Sequence, residues 1–477
     1  MENLFFNVWR NLYLKTQIIN QLKLFQYSPV QFKSKKELLE HPFKNYLVRV
    51  DIDFNEELHK YDLSDSIQTL SFGNSFNQPL KKDDIPLSVE ILLLGFNFNQ
   101  PLQQGGIPNS VKVLTMGYCF NQPLKLGDIP SSVEILEFIG EFDQPLKPGL
   151  IPSSVKSLLF SPSFNQPLKP GDIPPSVINL EFGWFFNQDL KEGDIPASVI
   201  KLIFSKMFNQ ALRQGAIPPS VKILELGNEF NQTLKPGDIP SSVEAITFGF
   251  EFNQELKEGH IPSSVLSLQF GNRFNQKLKL HDIPSSVEIL NLGKKFNQVL
   301  EEGVIPSSVK TLIFSNGFNK QLKKGIIPSS VTALTYFGKF KDLKPGDIPL
   351  SVKALTLGDK FDLPLKPGDI PPSVRELTFG FYFNHPLKPG DIPPSVQILN
   401  FGFEFNQKLK EGDIPSSVTS LTFGYKFNQL LSQREIPSSV QSITFTSGYK
   451  PTPGVLSPSI KIINKKPIFD GDMDDFL

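Results

Sequence analysis

The sequence predicts a mainly β fold: a solenoid of about 18 stacked 22-residue turns with one parallel sheet, an irregular return path and a short N-terminal helical cap. Three observations predict it. A phenylalanine recurs every 22 residues from Phe54 through Phe76, Phe98 and Phe120 to Phe340; one residue is then dropped, and Phe361, Phe383, Phe405 and Phe427 complete the series. Within each copy the spacing V-x-x-L-x-F sets alternate side chains on one side of a short strand. Proline and glycine return so often that no stretch stays free of them for three helical turns.

With the valine as position 1, apolar residues fall at 1, 4, 6, 10, 14 and 19, as in Val243, Ile246, Phe248, Phe252, Leu256 and Ile261. Positions 4 and 6 form the buried side of the strand. Proline follows at position 20 (Pro86, Pro108, Pro130) and often at 13 or 16 (Pro101, Pro148), and glycine recurs at 7 and near 17. One such unit has no second layer to cover its apolar side chains, so burial requires stacking on its neighbours. The strand spacing resembles the L-x-x-L-x-L of leucine-rich repeats. A parallel β-helix, with several sheets per turn, is the alternative architecture.

An asparagine follows the marker phenylalanine at Asn77, Asn99, Asn121, Asn165, Asn187, Asn209, Asn231, Asn253, Asn275, Asn297, Asn406 and Asn428, usually with glutamine next. One reading makes these amides a binding row. The favoured one makes them a buried structural ladder that bonds the backbone of adjacent turns. Asp143, Lys341 and Asp362 break the series, and Lys341, in the shortened unit, predicts a local irregularity near Phe340.

Strand positions 2, 3 and 5 should face away from the core across one surface, and position 5 varies freely (Leu93, Glu137, Leu159, Glu181, Ile203, Glu225, Gln269, Asn291, Thr335, Thr356, Thr378). Just past the strand, position 8 carries Phe96, Tyr118, Trp184, Phe250, Phe381, Phe403 and Tyr425, with Phe185 and Tyr382 beside two of them. Aromatic side chains on a rim serve as interface anchors, or fold over the strand ends and stack on one another. The first reading makes these nine the candidate partner-binding residues.

The string FNQPLKPGDIPSSV, approached at Phe120–Val133, Phe164–Val177 and Phe230–Val243, resembles the FNIP repeat, a family of leucine-rich-repeat-like units. The resemblance covers about residues 54–445. It implies a repeat scaffold for protein–protein interaction and brings no catalytic residues. Some family members join the repeats to a kinase or an F-box domain; no kinase motif set occurs here.

Residues 1–53 do not repeat. Phe5, Val8, Leu12, Ile19 and Leu22 lie at helical spacing, a second short helix starts near Lys33, and Tyr46–Ile52 reads as a strand. The segment is expected to be an N-terminal helical cap, or alternatively an F-box-like segment that makes the chain a substrate-recruiting adaptor of a ubiquitin ligase. Residues 54–445 form the repeat solenoid, 446–469 a degenerate C-terminal capping turn, and 470–477 an acidic frayed tail.

Composition excludes several classes. Lys plus Arg equals Asp plus Glu at 48 each, so the basic excess of a nucleic-acid or anionic-lipid binder is missing. Cys119 is the only cysteine, which rules out an internal disulfide and fits a reducing compartment. The N-terminus does not read as a signal peptide, and no apolar run is long enough to span a bilayer. His41, His59, His260, His281 and His385 are scattered, with no metal-ligand spacing, and are read as solvated loop positions. The Lys and Asp of KPGDIP are read as balanced charges on a solvated edge. The expectation is a cytoplasmic protein, with nuclear residence the alternative. It has no catalytic or metal site and no cofactor, and its partner is another protein.

Overall fold

The computed structural model describes residues 29–338, 343–446, 449–453 and 456–464. The chain divides into two compact units, residues 1–230 and 231–477. In the first, β1 (Val30–Phe32), β2 (Arg49–Ile52), β3 (Thr69–Phe72), β4 (Ile91–Leu93), β5 (Val113–Met116), β6 (Ile135–Phe138), β7 (Ser157–Leu159), β8 (Asn179–Glu181), β9 (Lys201–Ile203) and β10 (Ile223–Glu225) pair in parallel, each with the next. The second repeats the pattern from β11 (Ala245–Thr247) through β15 (Ala333–Tyr336), β16 (Ala354–Leu357), β17 (Glu376–Phe379) and β18 (Ile398–Asn400) to β20 (Ser442–Phe445) and β21 (Lys461–Asn464). Each turn supplies one strand and an irregular return. This is a leucine-rich-repeat-like parallel β-solenoid of about nineteen turns.

The core is the expected one. Within a turn, positions 1, 4, 6, 10, 14 and 19 are sealed: Val177, Leu180, Phe182, Phe186, Leu190 and Ile195 are all 3% exposed or less. The position-6 and position-10 rings of one turn stack at 4.0 Å in Phe182–Phe186 and at 3.9 Å in Phe401–Phe405. Successive position-10 rings lie nearly parallel at 6.1 Å (Phe164–Phe186) and 6.4 Å (Phe186–Phe208). Burying each ring stabilises the stack by about 2–3 kcal/mol.

Turn chemistry explains the rest of the repeat. In Lys169-Pro170-Gly171-Asp172 the Asp172 N–H donates to the Lys169 carbonyl at 3.0 Å, and Gly171 takes φ 91°. Proline presets the second position of this turn and only glycine enters the left-handed third without strain. Asp83 (φ 70°) and His281 (φ 71°) occupy that third position without being glycine.

The aspartate that closes this turn corrects one expectation. It is not on a solvated edge: Asp172, Asp194 and Asp391 are among ten copies buried to 9% exposure or less. Each accepts the backbone N–H of the turn's first residue, as in Lys169 N to Asp172 Oδ2 at 2.8 Å. The carboxylate substitutes for water that the fold has displaced. Burial, the largest influence, pushes the Asp172 carboxyl up, and the Lys169 N–H pulls it partly back. His260 occupies the same position in its turn and is likewise buried, not solvated.

The described part of the segment read as the N-terminal cap belongs to the sheet itself. Two sheet strands, β1 and β2, lie within it, paired at a 20-residue offset (Val30↔Val50). Between them runs α1 (Lys35–Glu40), capped by Ser34, whose Oγ accepts the Glu37 N–H at 3.2 Å. The helix expected over Phe5–Leu22, the F-box-like opening, Phe340 with Lys341, and the acidic tail lie outside the described residues. The dropped residue leaves the sheet in register: Leu334 pairs with Leu355, so the return path absorbs the deletion.

Candidate functional site

The surface available for recognition begins where the strands end. Gly183 at position 7 is needed for close approach, because a Cβ there would sit 1.7 Å from the Ser161 carbonyl oxygen. Neighbouring backbones therefore touch, and the position-8 side chain is turned out onto the rim. Trp184 is 60% and Phe185 53% exposed, the most exposed of the candidate aromatics in the first unit.

The nine candidate aromatics fall into four groups. Phe96 stacks on Tyr118 at 4.6 Å with planes 3° apart. Trp184 and Phe185 stand together, with the Lys206 ammonium 5.4 Å from the Trp184 ring. Phe250 lies under the Arg273 guanidinium at 5.7 Å. Phe381 and Phe403 stack at 4.5 Å, Phe403 and Tyr425 at 5.0 Å, and Tyr382 meets Phe381 edge-on at 4.8 Å. Stacking thus occupies ring faces in two groups, yet Phe96, Tyr118, Tyr382 and Tyr425 stay exposed.

The asparagines are half-buried rather than buried, and Asn428 is exposed. Within the series an Oδ1 accepts the backbone N–H of the matching residue one turn later, as in Asn99 N to Asn77 Oδ1 at 2.9 Å and Asn275 N to Asn253 Oδ1 at 2.8 Å. The following glutamine donates to the same oxygen, Gln188 Nε2 to Asn165 Oδ1 at 3.0 Å. In the first unit the series runs from Asn55, which the sequence pattern missed, through Asn77, Asn99, Asn121, Asn165 and Asn187 to Asn209. In the second it runs from Asn231 through Asn253, Asn275 and Asn297 to Asn319, then resumes from Asn384 to Asn406 and Asn428. Asp143 does not break the series, since its carboxylate accepts the Asn165 N–H at 2.9 Å as an amide oxygen would. Asp362 does stand apart, 2.8 Å from His385 Nε2.

The outward column of the strands carries residues that free variation had hidden. Thr115, Glu137, Leu159, Glu181, Ile203 and Glu225 are successive Cα partners in the first unit. Thr115 Oγ1 donates to Glu137 Oε2 at 2.9 Å, and Lys201 lies 3.8 Å from Glu225. Burial in the sheet face pushes the Glu181 carboxyl up; Lys201 pulls it back, and the charges of Glu225 and Glu137 push it further up. Sorting position 5 by alternate turns is the signal that would have exposed this column.

No cluster of His, Cys, Asp or Glu suited to a metal ion occurs among the described residues, and none of their helices is long and apolar enough to cross a membrane. A search of curated proteins gave no match. Among solved structures, the chain is similar to CroV588, described as a novel circular leucine-rich-repeat protein. That pair shares 28% identity with a TM-score of 0.70, over 87% of this chain and 72% of that one. A chain of the Drosophila Toll–Spatzle complex shares the fold at 12% identity and a TM-score of 0.52, over 88% of this chain and 61% of that one. A family model described as the FNIP repeat matches thirteen segments between residues 54 and 448, from 54–86 to 405–448. The phenylalanine core, the asparagine series and the Pro-Gly-Asp turn are the structural content of that match, and the chain belongs to the FNIP repeat family.

Proposed function

We propose that this protein is a non-enzymatic protein–protein interaction scaffold, binding partners across its strand face and aromatic rim. Repeat solenoids of this kind are typically non-catalytic binding surfaces, because the core residues are committed to stacking and the outward ones are free to vary. The observation that carries the reading is the exposure of Trp184 and Phe185 side by side on a rim whose backbone is fixed by the close approach at Gly183. Large aromatics left in water on a rigid frame are the residues that dominate interfaces when covered.

The test is affinity capture from the native cell with the wild-type chain, Trp184→Ala/Phe185→Ala, and Phe381→Ala/Tyr382→Ala. Each pair should reduce retention of a specific partner about tenfold or more, in keeping with about 2 kcal/mol for a covered hot spot, while thermal unfolding stays unchanged. Undiminished retention in both variants, with native folding, would remove the rim from the binding surface.

A further inference from the structure

The outward column of the first unit has a periodicity of its own. Glu137, Glu181 and Glu225 occupy alternate turns of one straight register, separated by Leu159 and Ile203. We propose that this face docks an extended, polyproline-like segment of a partner protein that carries a basic residue at every third position. The proposal rests on the scaffold reading above and names the partner's chemistry.

Adjacent strands lie about 4.8 Å apart, so carboxylates in alternate turns repeat at about 9.6 Å along the column. A polyproline II segment has three residues per turn and rises about 3.1 Å per residue, so every third side chain returns to one edge at about 9.3 Å. A segment lying across the strands therefore presents a cation to each glutamate in turn. Its other residues meet Leu159 and Ile203.

The flanking surface suits such a segment. Ile135, Ile178, Ile200 and Ile223 are each 37–41% exposed on the same face and supply apolar floor. The lysines on the neighbouring column are already engaged there, Lys112 with Glu90 at 3.2 Å and Lys156 with Glu134 at 2.7 Å. Glu137 and Glu181 make no ion pair among the described residues, and Lys201, 3.8 Å from Glu225, is the cation an incoming one would displace. Arginine fits better than lysine, because its fork meets a carboxylate through two parallel hydrogen bonds.

The second unit is the internal control. Its corresponding column, from Thr247 and Gln269 through Thr356 and Thr378 to Thr422 and Thr444, carries no charge. The full chain therefore holds one face that should respond to the charge register and one that should not.

The test measures fluorescence anisotropy of labelled (Arg-Pro-Pro)4 on the full chain at physiological salt. The comparison peptides are one of the same composition with its arginines in one block, and (Glu-Pro-Pro)4. The spaced cationic peptide should bind about tenfold more tightly than the blocked one, as several part-desolvated pairs would provide, and the acidic peptide should not bind. Glu137→Gln/Glu181→Gln/Glu225→Gln should abolish the preference with an unchanged far-ultraviolet circular dichroism spectrum, and Lys201→Gln should strengthen binding. Equal binding of spaced and blocked peptides, or an undiminished preference in the triple variant, overturns the proposal. Partner capture that is lost with Trp184→Ala while the two peptides bind equally sinks this inference alone. A peptide preference that persists while both rim variants leave capture intact sinks only the rim.

Discussion

In residues 51–230 the outward column of the strands reads Asp51, Ser71, Leu93, Thr115, Glu137, Leu159, Glu181, Ile203 and Glu225. In residues 231–444 the same position reads Thr247, Gln269, Asn291, Ile313, Thr335, Thr356, Thr378, Asn400, Thr422 and Thr444. From Glu137 to Glu225 the first alternates acids with aliphatics. Apart from Ile313, the second is a row of hydroxyls and amides, some bonded along the column, as Asn400 Nδ2 is to Thr378 Oγ1 at 3.1 Å. Under both columns the buried residues are the same: Leu180 and Phe186 in one unit and Leu399 and Phe405 in the other are all 1% exposed or less. Side chains at positions 4 and 6 are answerable to the adjacent turn, whereas position 5 is answerable only to what lies outside. One backbone therefore carries two unrelated surfaces at no difference in its core.

The strongest way to break this comparison is to attack the shared core. Phe186→Ala and Phe405→Ala should each destabilise their own unit by about 3–5 kcal/mol, since each leaves a ring-sized cavity in a close-packed column. Urea unfolding followed by hydrogen exchange should show equal losses in the two units. A loss at one site less than half that at the other would mean the cores are not equivalent.

The turns sharpen the comparison at a smaller scale. His281→Gly in the second unit and Asp83→Gly in the first should each stabilise by about 1 kcal/mol, because both residues hold a left-handed φ that glycine adopts freely. Gly171→Ala, at φ 91°, should cost about the same amount. Denaturation midpoints that moved in the opposite sense would show that the turn is not strained as described.

Exchanging the two surfaces should do little to stability. Glu181→Thr and Thr356→Glu should each shift unfolding by less than about 0.5 kcal/mol, as outward positions without a buried partner do. Any larger change would mean that the column is part of the core after all.

The proton-linked effect is the finest discriminator. Burial raises the carboxyls of Asp172 and Asp413 above the ordinary aspartate range. The stabilising contribution of such a group is complete below the unfolded value, about pH 4, and is lost as pH rises through the higher folded value. Asp172→Asn and Asp413→Asn should therefore raise the melting temperature relative to wild type at pH 7, with the advantage fading toward pH 4. Asp413 should respond more, because its Oδ1 is buried with no partner among the described residues. A melting difference independent of pH at both sites would contradict the assignment.

Much of this was legible in the residues. The 22-residue return of Phe54 to Phe427 implied stacking, since a six-residue apolar set has no other route to burial. The Pro-Gly pair implied a turn with one left-handed residue. Asp172 was misread because a charged residue in a Pro-Gly loop ordinarily faces water; only the structure shows that the Lys169 N–H points inward and must be answered. Asp143 was misread for the converse reason, since its carboxylate oxygen does the work of an amide oxygen and the ladder needs only an acceptor. The glutamate column was printed in the sequence but scattered over 22-residue intervals. Parallel pairing sets Glu137, Glu181 and Glu225 in line.

By itself, the sequence determined the period, the strand, the buried set and the places where the chain turns, because these follow from hydrophobic spacing and backbone sterics within one copy. Only the tertiary structure decided which polar groups answer one another from turn to turn and which side chains share a face. Those relations join residues about 22 positions apart, and they exist only once neighbouring turns have been brought within reach of a hydrogen bond.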